Sequence, residues 1–110
     1  DGHLFIVDRL KDLIISGGEN IYPAAVENVI LAHSAVTEVA VIGLPDEKWG
    51  ETTCAIVVKT DDALDEQGII SHCEAKLSRY KLPRKVIFVD TIPRNPSGKI
   101  LKRVLREQYA

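Results

Sequence analysis

The sequence predicts an α+β fold in which a small, mostly antiparallel sheet is flanked by helices and preceded by a short N-terminal β-hairpin. Three observations lead to this prediction. Short runs rich in β-branched residues alternate with segments whose apolar residues recur at helical spacing. Proline, glycine, asparagine and aspartate separate these segments. The predicted order of elements is ββ-α-β-β-α-β-α, which is typical of helices packed against a small sheet.

Length and composition limit what the chain can be. Its 110 residues, 45% of them hydrophobic, are enough for one compact domain, so residues 1–110 are predicted to form a single domain. Because the chain opens on Asp1 without a start methionine or leader, we expect it to be cut from a longer protein. No apolar run reaches the ~18 residues that a membrane span needs, so an integral membrane protein is not expected.

The first elements are two short strands and a helix. The strands are predicted at residues 4–7 and 13–15, around a polar connector at residues 8–12. Pro23 fits the first position of a helix of about three turns. The apolar face of this helix is predicted to consist of Tyr22, Val26, Val29 and Ile30.

Three runs rich in strand-forming residues predict the main sheet. Residues 36–44 and 52–58 are separated by a segment of proline, aspartate and glycine, so they are predicted to be neighbouring antiparallel strands. Residues 85–89 are predicted to form a third core strand.

Two further helices complete the prediction. Asp65 is a suitable N-cap for a helix at about residues 66–80, which must end before Pro83. The turn-rich segment 93–98 then leads into a last helix, whose apolar residues share one face over residues 100–109.

The net charge of −2 conceals an uneven distribution, because residues 76–110 hold ten lysines and arginines against two acids. This asymmetry suggests an anionic partner, and a solvated basic face is the alternative. A nucleic-acid partner is not expected, since the basic residues lack interleaved aromatics and belong to no nucleic-acid-binding motif.

Neither the cysteines nor the histidines predict a metal site. Cys54 and Cys73 lack the pattern of a disulfide scaffold, so we expect buried thiols in a reducing intracellular setting. His3, His33 and His72 show no metal-ligand spacing and are predicted to be structural or solvent-facing.

The run ISGGENIYP, residues 15–23, places Gly17 and Gly18 just ahead of a helix. Free backbone N–H groups and the helix dipole could receive an anionic ligand there, although such a pair more often forms only a tight turn. The spacing is not the GxGxxG fingerprint of dinucleotide-binding proteins.

The run PRNPSGKI, residues 93–100, is predicted to be a loop that holds a lysine. Two prolines stiffen it, Gly98 permits an unusual backbone conformation, and Lys99 follows. It is not a Walker A loop, because Ile100 stands where Ser or Thr would bind magnesium. The loop allows two interpretations of Lys99: a catalytic lysine, or a lysine that simply begins a helix.

Together with DRLKDLIISGGENIYP and GLPDEKWGE, these runs resemble the C-terminal domain of the adenylate-forming superfamily of acyl-CoA synthetases, firefly luciferases and peptide-synthetase adenylation domains. The resemblance covers essentially the whole chain, in the family's order. ISGGENIYP and IPRNPSGKIL look most like fatty-acyl and aromatic-acyl CoA ligases, and especially like bacterial long-chain fatty-acid CoA ligases. The implied fold is the small C-terminal lid domain of these enzymes.

The resemblance implies a two-step reaction shared with the protein's own N-terminal adenylation domain. A carboxylic acid attacks the α-phosphate of ATP to give an acyl-adenylate and pyrophosphate, and the thiol of CoA then displaces AMP. Lys99 matches the family's catalytic adenylation lysine, whose charge would stabilise two approaching anions in a closed site. ATP, CoA and Mg²⁺ are the implied cofactors, with Mg²⁺ held mainly by the N-terminal domain, and the isolated fragment is expected to be inactive.

Further positions match the family's motifs. Arg9 matches the arginine near the nucleotide ribose, where a rigid guanidinium holds a fixed geometry. Lys11 matches the hinge, in the polar connector, about which the domain swings between half-reactions. Gly17, Gly18 and Glu19 match the loop that lines the pantetheine tunnel, where small residues let the backbone approach a thin ligand.

Five more side chains lie on segments that hold the CoA nucleotide in some aromatic-acyl relatives, where cations would meet its phosphates. For the two aromatic ones, a place in the core is the alternative. Leu82 stands where one such relative has a basic residue, so this match is incomplete. The five side chains are Trp49, Tyr80, Lys81, Arg84 and Lys85.

Three functions are therefore open at this point. The first is the lid of a fatty-acyl or related carboxylate CoA ligase, which is cytoplasmic with possible peripheral membrane contact. The second is a luciferase-like or carrier-protein-loading adenylation domain, in which the acceptor is not free CoA. The third is a non-catalytic module whose basic face docks an anionic partner.

Overall fold

The computed structural model describes residues 13–109. The strand predicted at residues 4–7 and the polar connector at 8–12 lie outside the described residues, and so do Arg9 and Lys11, whose roles stay predictions. No helix within residues 13–109 is both long and apolar enough to cross a bilayer.

A tight hairpin opens the described chain. Strand β1 (Ile14–Ser16) pairs antiparallel with β2 (Glu19–Ile21). Gly17 and Gly18 form the turn with φ values of 59° and 83°, the left-handed conformation that type I′ hairpin turns require. The strand predicted at residues 13–15 is thus present as β1, and within the described residues it pairs with β2. The placement of the glycines just ahead of a helix was wrong, because β2 lies between them and the helix.

Helix α1 (Pro23–Leu31) begins as predicted, with proline in its first turn, where the missing N–H costs nothing. Val26 and Ile30 are buried on its inner face. Tyr22 is 54% exposed and does not belong to that face, because it precedes the first helical residue in an extended conformation.

Three strands form the main sheet in the order β3-β4-β5: β3 (Val36–Asp46), β4 (Gly50–Lys59) and β5 (Lys85–Phe88). The first two are antiparallel, as predicted. β5 runs parallel to β4, since a helical crossover returns the chain to the same end of the sheet.

That crossover contains α2 (Glu66–Glu74), capped as predicted by Asp65, whose Oδ1 accepts the Gly68 N–H at 2.8 Å. The helix ends earlier than predicted. Ser78 adopts an extended conformation, and a separate 3₁₀ turn follows at Arg79–Lys81.

The last helix, α3 (Lys102–Tyr109), covers the second face of the sheet. Successive side chains of a strand point to opposite faces. Val39 and Val41 therefore pack in one apolar cluster with α1, α2 and the hairpin, while Ala40 and Ile42 pack in another with Leu105 of α3. Burial on both faces explains why β3 and β4 are nearly continuous apolar runs.

Candidate functional site

Trp49 lies in the turn between β3 and β4, where this turn meets the hairpin. Asp46 Oδ1 accepts the backbone N–H groups of Lys48 at 2.8 Å and of Trp49 at 2.9 Å, which fixes the turn. The Gly17 N–H donates to the Trp49 carbonyl at 2.8 Å. A Cβ on Gly17 would lie 2.7 Å from the indole Cε3, so the contact needs glycine for space as well as for φ.

Two cations lie beside the half-buried indole of Trp49. The guanidinium carbon of Arg84 is 4.5 Å from the ring centroid, and the Lys48 ammonium is 5.0 Å away. The Arg84 backbone N–H donates to the Thr53 carbonyl at 2.9 Å, which ties the segment before β5 to β4. An aromatic ring bordered by cations suits a ligand with a flat, conjugated part and anionic groups.

The other residues predicted to bind CoA or its pantetheine arm are exposed, except Lys81, which is half-buried. Gly18 has open space where a Cβ would stand, and Glu19 is exposed on β2. Tyr80 is 43% exposed and therefore is not a core residue. The Lys81 ammonium lies 5.7 Å from the Tyr80 ring, and Lys85 is exposed at the start of β5.

Glu51 joins the hairpin to the sheet beside this surface. Its Oε1 accepts the Ile15 N–H at 3.0 Å. A Cβ on Gly43 would lie 2.5 Å from its Oε2, so the carboxylate lies directly over the β3 backbone. Sequence reasoning did not single out Glu51 or Lys48, although both stand in the GLPDEKWGE run. The contacts of Glu51 depend on which strands are neighbours, which that run does not show, whereas Lys48 stands directly before Trp49 in the run itself.

Lys99 follows a loop that is closed by its own hydrogen bonds. Asn95 Oδ1 accepts from the Ser97 N–H at 3.1 Å, the Ser97 hydroxyl at 2.8 Å and the Lys99 N–H at 2.9 Å. The Asn95 N–H donates to the Lys99 carbonyl at 2.9 Å. Gly98 completes the turn with a φ of 88°. The backbone of Lys99 is thus held on both sides by one asparagine, while its side chain is exposed.

Arg94 connects the Lys99 loop to β3. Its Nε donates to Glu38 Oε1 at 3.1 Å, and its Nη2 donates to the same oxygen. Its Nη1 donates to the Gly98 carbonyl at 2.8 Å, immediately before Lys99. Arg94 and Ile100 also form an antiparallel backbone bridge.

The Lys99 loop and the Trp49 surface lie at opposite ends of β3. The loop is attached at Glu38 near the start of the strand, and Trp49 follows Asp46 at its end. At about 3.3 Å per residue, the stretch from Glu38 to Asp46 spans roughly 26 Å. The two features are therefore separated by about this length of the strand.

The two thiols are buried on opposite faces of the sheet, as their packing in separate clusters shows. Burial raises the pKa of the Cys54 thiol to about 11, an effect that the positive charge of Lys85 reduces. Burial likewise raises the pKa of the Cys73 thiol to about 11. Both cysteines are small core residues, as predicted, and neither is a reactive thiolate at neutral pH.

Two histidines have structural partners. His72 Nε2 lies 2.7 Å from the Val29 carbonyl, and His33 Nδ1 accepts the Ala35 N–H at 3.0 Å. His33 and His72 were predicted to be structural or solvent-facing, and these contacts fit the structural alternative. His3 lies outside the described residues.

The fold and the two ends of β3 together define a class of protein: a small α+β domain with a lysine-bearing loop at one end and an aromatic, cationic surface at the other. Comparison with known families identifies the class further. The AMP-binding enzyme C-terminal domain family matches residues 25–99, and the chain belongs to this family.

Individual relatives agree with this assignment. The chain is 64% identical over its whole length to a long-chain-fatty-acid–CoA ligase, FadD13, from Mycobacterium tuberculosis, and it spans 22% of that protein. The solved structure of a Mycobacterium tuberculosis fatty acyl CoA synthetase superposes with a TM-score of 0.89 at 65% identity, over 92% of this chain and 20% of that one. An o-succinylbenzoate CoA synthetase from Bacillus subtilis, solved with its acyl-adenylate intermediate, gives a TM-score of 0.82 at 45% identity, over 87% of this chain and 20% of that one. The chain thus spans about a fifth of these relatives.

Proposed function

We propose that this chain is the C-terminal catalytic lid of an ATP-dependent CoA ligase for fatty acids or related carboxylic acids. The full enzyme would convert carboxylate, ATP and CoA into acyl-CoA, AMP and pyrophosphate through an acyl-adenylate. The observation that carries the proposal is the placement of two different sites at the two ends of β3. The names of the relatives, a long-chain-fatty-acid–CoA ligase and a fatty acyl CoA synthetase, supply the acid class to test first.

Lys99 is assigned to the adenylation step. The reacting carboxylate and the α-phosphate are both anionic, so their approach in a closed site requires a positive charge between them. The closed loop holds the Lys99 backbone on both sides and leaves the side chain exposed to reach into a neighbouring domain.

The Trp49 surface is assigned to the thioesterification step. CoA carries an adenine ring and several phosphate groups, and the indole with Arg84 and Lys48 offers a stacking face and two cations. Gly18 leaves its backbone open for the thin pantetheine arm, while Gly17 packs against the indole.

The separation of roughly 26 Å along β3 supports a turn of the domain between the two steps. Each step then presents a different end of the sheet to the N-terminal domain. The hinge at residues 8–12, with Lys11, and the ribose contact of Arg9 belong to this proposal as well.

The magnesium ion that accompanies ATP is assigned to the N-terminal domain. Residues 13–109 contain no group of three or more His, Cys, Asp or Glu side chains arranged to hold a metal ion. No step of the mechanism is therefore assigned to a metal held by this part of the chain.

The test separates the two half-reactions of the full-length enzyme. Pyrophosphate release in a single turnover reports adenylation, and conversion of a supplied acyl-adenylate with CoA reports thioesterification. Lys99→Ala is expected to slow adenylation by at least 100-fold and to leave thioesterification nearly unchanged. Lys76→Ala, which removes an exposed lysine after α2, is the matched control.

Unchanged adenylation in Lys99→Ala would refute the role of this residue. A supplied acyl-adenylate that reacts with a phosphopantetheinyl carrier protein but not with free CoA would favour the carrier-loading function instead. Fatty acids of several chain lengths and succinylbenzoate should be tested side by side, since both kinds of ligase are among the relatives.

A further inference from the structure

We propose that Glu38 is a positioning residue for Lys99 and acts through Arg94. The inference rests on the adenylation role proposed above for Lys99. It concerns a different question, which is what sets the direction in which the Lys99 loop extends from the sheet.

The hydrogen bonds inside the loop set its shape but not its orientation. Asn95 bonds to Ser97 and Lys99, all within five residues of one another, so these contacts would persist if the whole loop tilted. Orientation requires a bond from the loop to a separate, rigid element. The Arg94 guanidinium provides one, because its Nε and Nη2 donate to Glu38 on β3 while its Nη1 donates to the Gly98 carbonyl.

The planar guanidinium makes this connection stiff. Its N–H donors have fixed directions, so a guanidinium held by two donors on Glu38 Oε1 also fixes the direction of the third donor. That third donor meets the carbonyl of the residue directly before Lys99. Glu38 lies 56 residues from Arg94 in sequence, on a strand that pairs with β4 along its length.

A second ion pair holds the other side of the loop. The Lys102 ammonium, three positions after Lys99, lies 2.9 Å from Glu27 Oε2 on α1. The same Glu27 oxygen accepts the Val41 N–H of β3 at 2.9 Å. The loop is thus anchored to β3 before and after Lys99, so loss of Glu38 should tilt the loop without unfolding the domain.

This arrangement separates positioning from stability. The Arg94 and Glu38 side chains are 40% and 33% exposed, and ion pairs of that kind contribute little to the free energy of folding. A displacement of about 1 Å at a reacting group can slow a reaction by as much as 100-fold. Removal of Glu38 should therefore affect one half-reaction strongly and the melting temperature weakly.

The experiment uses the full-length enzyme and four substitutions: Glu38→Ala, Glu38→Gln, Arg94→Ala and, as a control on an exposed carboxylate of α2, Glu74→Ala. Glu38→Ala and Arg94→Ala are expected to slow single-turnover adenylation by about 10- to 100-fold. Conversion of supplied acyl-adenylate to thioester should stay within about twofold of wild type in both. Glu38→Gln keeps an oxygen that accepts from Arg94, so it should recover most of the adenylation rate.

The double variant Glu38→Ala with Arg94→Ala should be no slower than either single variant, since both break the same connection. Equal slowing of both half-reactions in Glu38→Ala, or unchanged adenylation, would overturn the proposal. Loss in Glu38→Gln as large as in Glu38→Ala would also overturn it. The parallel Lys99→Ala assay distinguishes failure of the proposed function from failure of the positioning role. If Lys99→Ala adenylates at the normal rate, the proposed function fails. If Lys99→Ala is slow and Glu38→Ala adenylates at the normal rate, only the positioning role of Glu38 is refuted.

Discussion

The guanidinium of Arg84 lies over the indole of Trp49, with 4.5 Å between its central carbon and the ring centroid. The two residues stand on different segments, one before β5 and one after β3. Their contact depends on β4, which pairs with both strands and accepts the Arg84 N–H at Thr53. The sheet thus builds the cationic aromatic surface from parts of the chain that are distant in sequence.

Arg84→Ala is expected to raise the KM for CoA by roughly 10-fold, because a charge-assisted contact of about 1.5 kcal/mol is lost. Adenylation without CoA should be unaffected. Arg84→Lys keeps the charge but loses the planar stacking group, so it should fall between wild type and Arg84→Ala. Steady-state kinetics at varied CoA concentration checks this order, and an unchanged KM in Arg84→Ala would exclude a contact between Arg84 and CoA.

Gly17→Ala and Gly18→Ala form a matched pair. Both introduce a side chain at positive φ, which should cost about 1 to 2 kcal/mol of stability in each variant. Only the Cβ at position 17 meets the indole of Trp49, at 2.7 Å, whereas position 18 faces open space. Gly17→Ala should therefore shift Trp49, change its fluorescence and raise the KM for CoA more than Gly18→Ala does. Equal effects in both variants would show that backbone strain alone is responsible.

Asn95 is expected to control the conformation of the Lys99 loop. Asn95→Ala removes the acceptor of three hydrogen bonds and should slow adenylation by about 10-fold or more, with a loss of about 1 kcal/mol in stability. Asn95→Asp retains an oxygen acceptor at the same position and should preserve most of the activity. Single-turnover pyrophosphate release measures both variants. Equal activity in the alanine variant and wild type would mean that the loop keeps its shape without Asn95.

The buried thiols should make the domain sensitive to alkali. Burial raises the folded pKa of both Cys54 and Cys73 from 9.0 to about 11, so the unfolded chain loses these protons at a lower pH than the folded chain. The contribution of the two thiols to the free energy of unfolding is complete below pH 9. It is lost as the pH rises from about 9 to 11, on the order of 2 kcal/mol for each thiol. Urea unfolding from pH 8 to 11 should show this decline.

A variant with alanine at both cysteines provides the control for alkaline unfolding. It should be less stable than wild type at pH 8, because the core loses volume, but its stability should decline less steeply above pH 9. Parallel declines in the two proteins would show that other groups cause the alkaline sensitivity.

Local signals predicted the starts of α1 and α2 correctly and the end of α2 less well. Pro23 and Asp65 act on the first turn of their own helices, so their effect can be identified without knowing the fold. The end of α2 at Glu74 has no comparable signal nearby, and apolar residues continue at helical spacing beyond it. There Leu77 and Leu82, on either side of the extended Ser78 and the 3₁₀ turn, pack against the core cluster, and this packing overrides the local pattern.

The sequence by itself determined the fold class, the lysine-bearing loop and the family, because patterns of neighbouring residues carry all three. Lys99, Gly17 and Trp49 could be singled out in this way. Only the tertiary structure decided that β5 runs parallel to β4, that Arg84 meets Trp49, and that Glu38 holds Arg94 across 56 residues. The physical reason is that local turns and caps depend on a few adjacent residues, whereas these contacts depend on which strands pair and in what register.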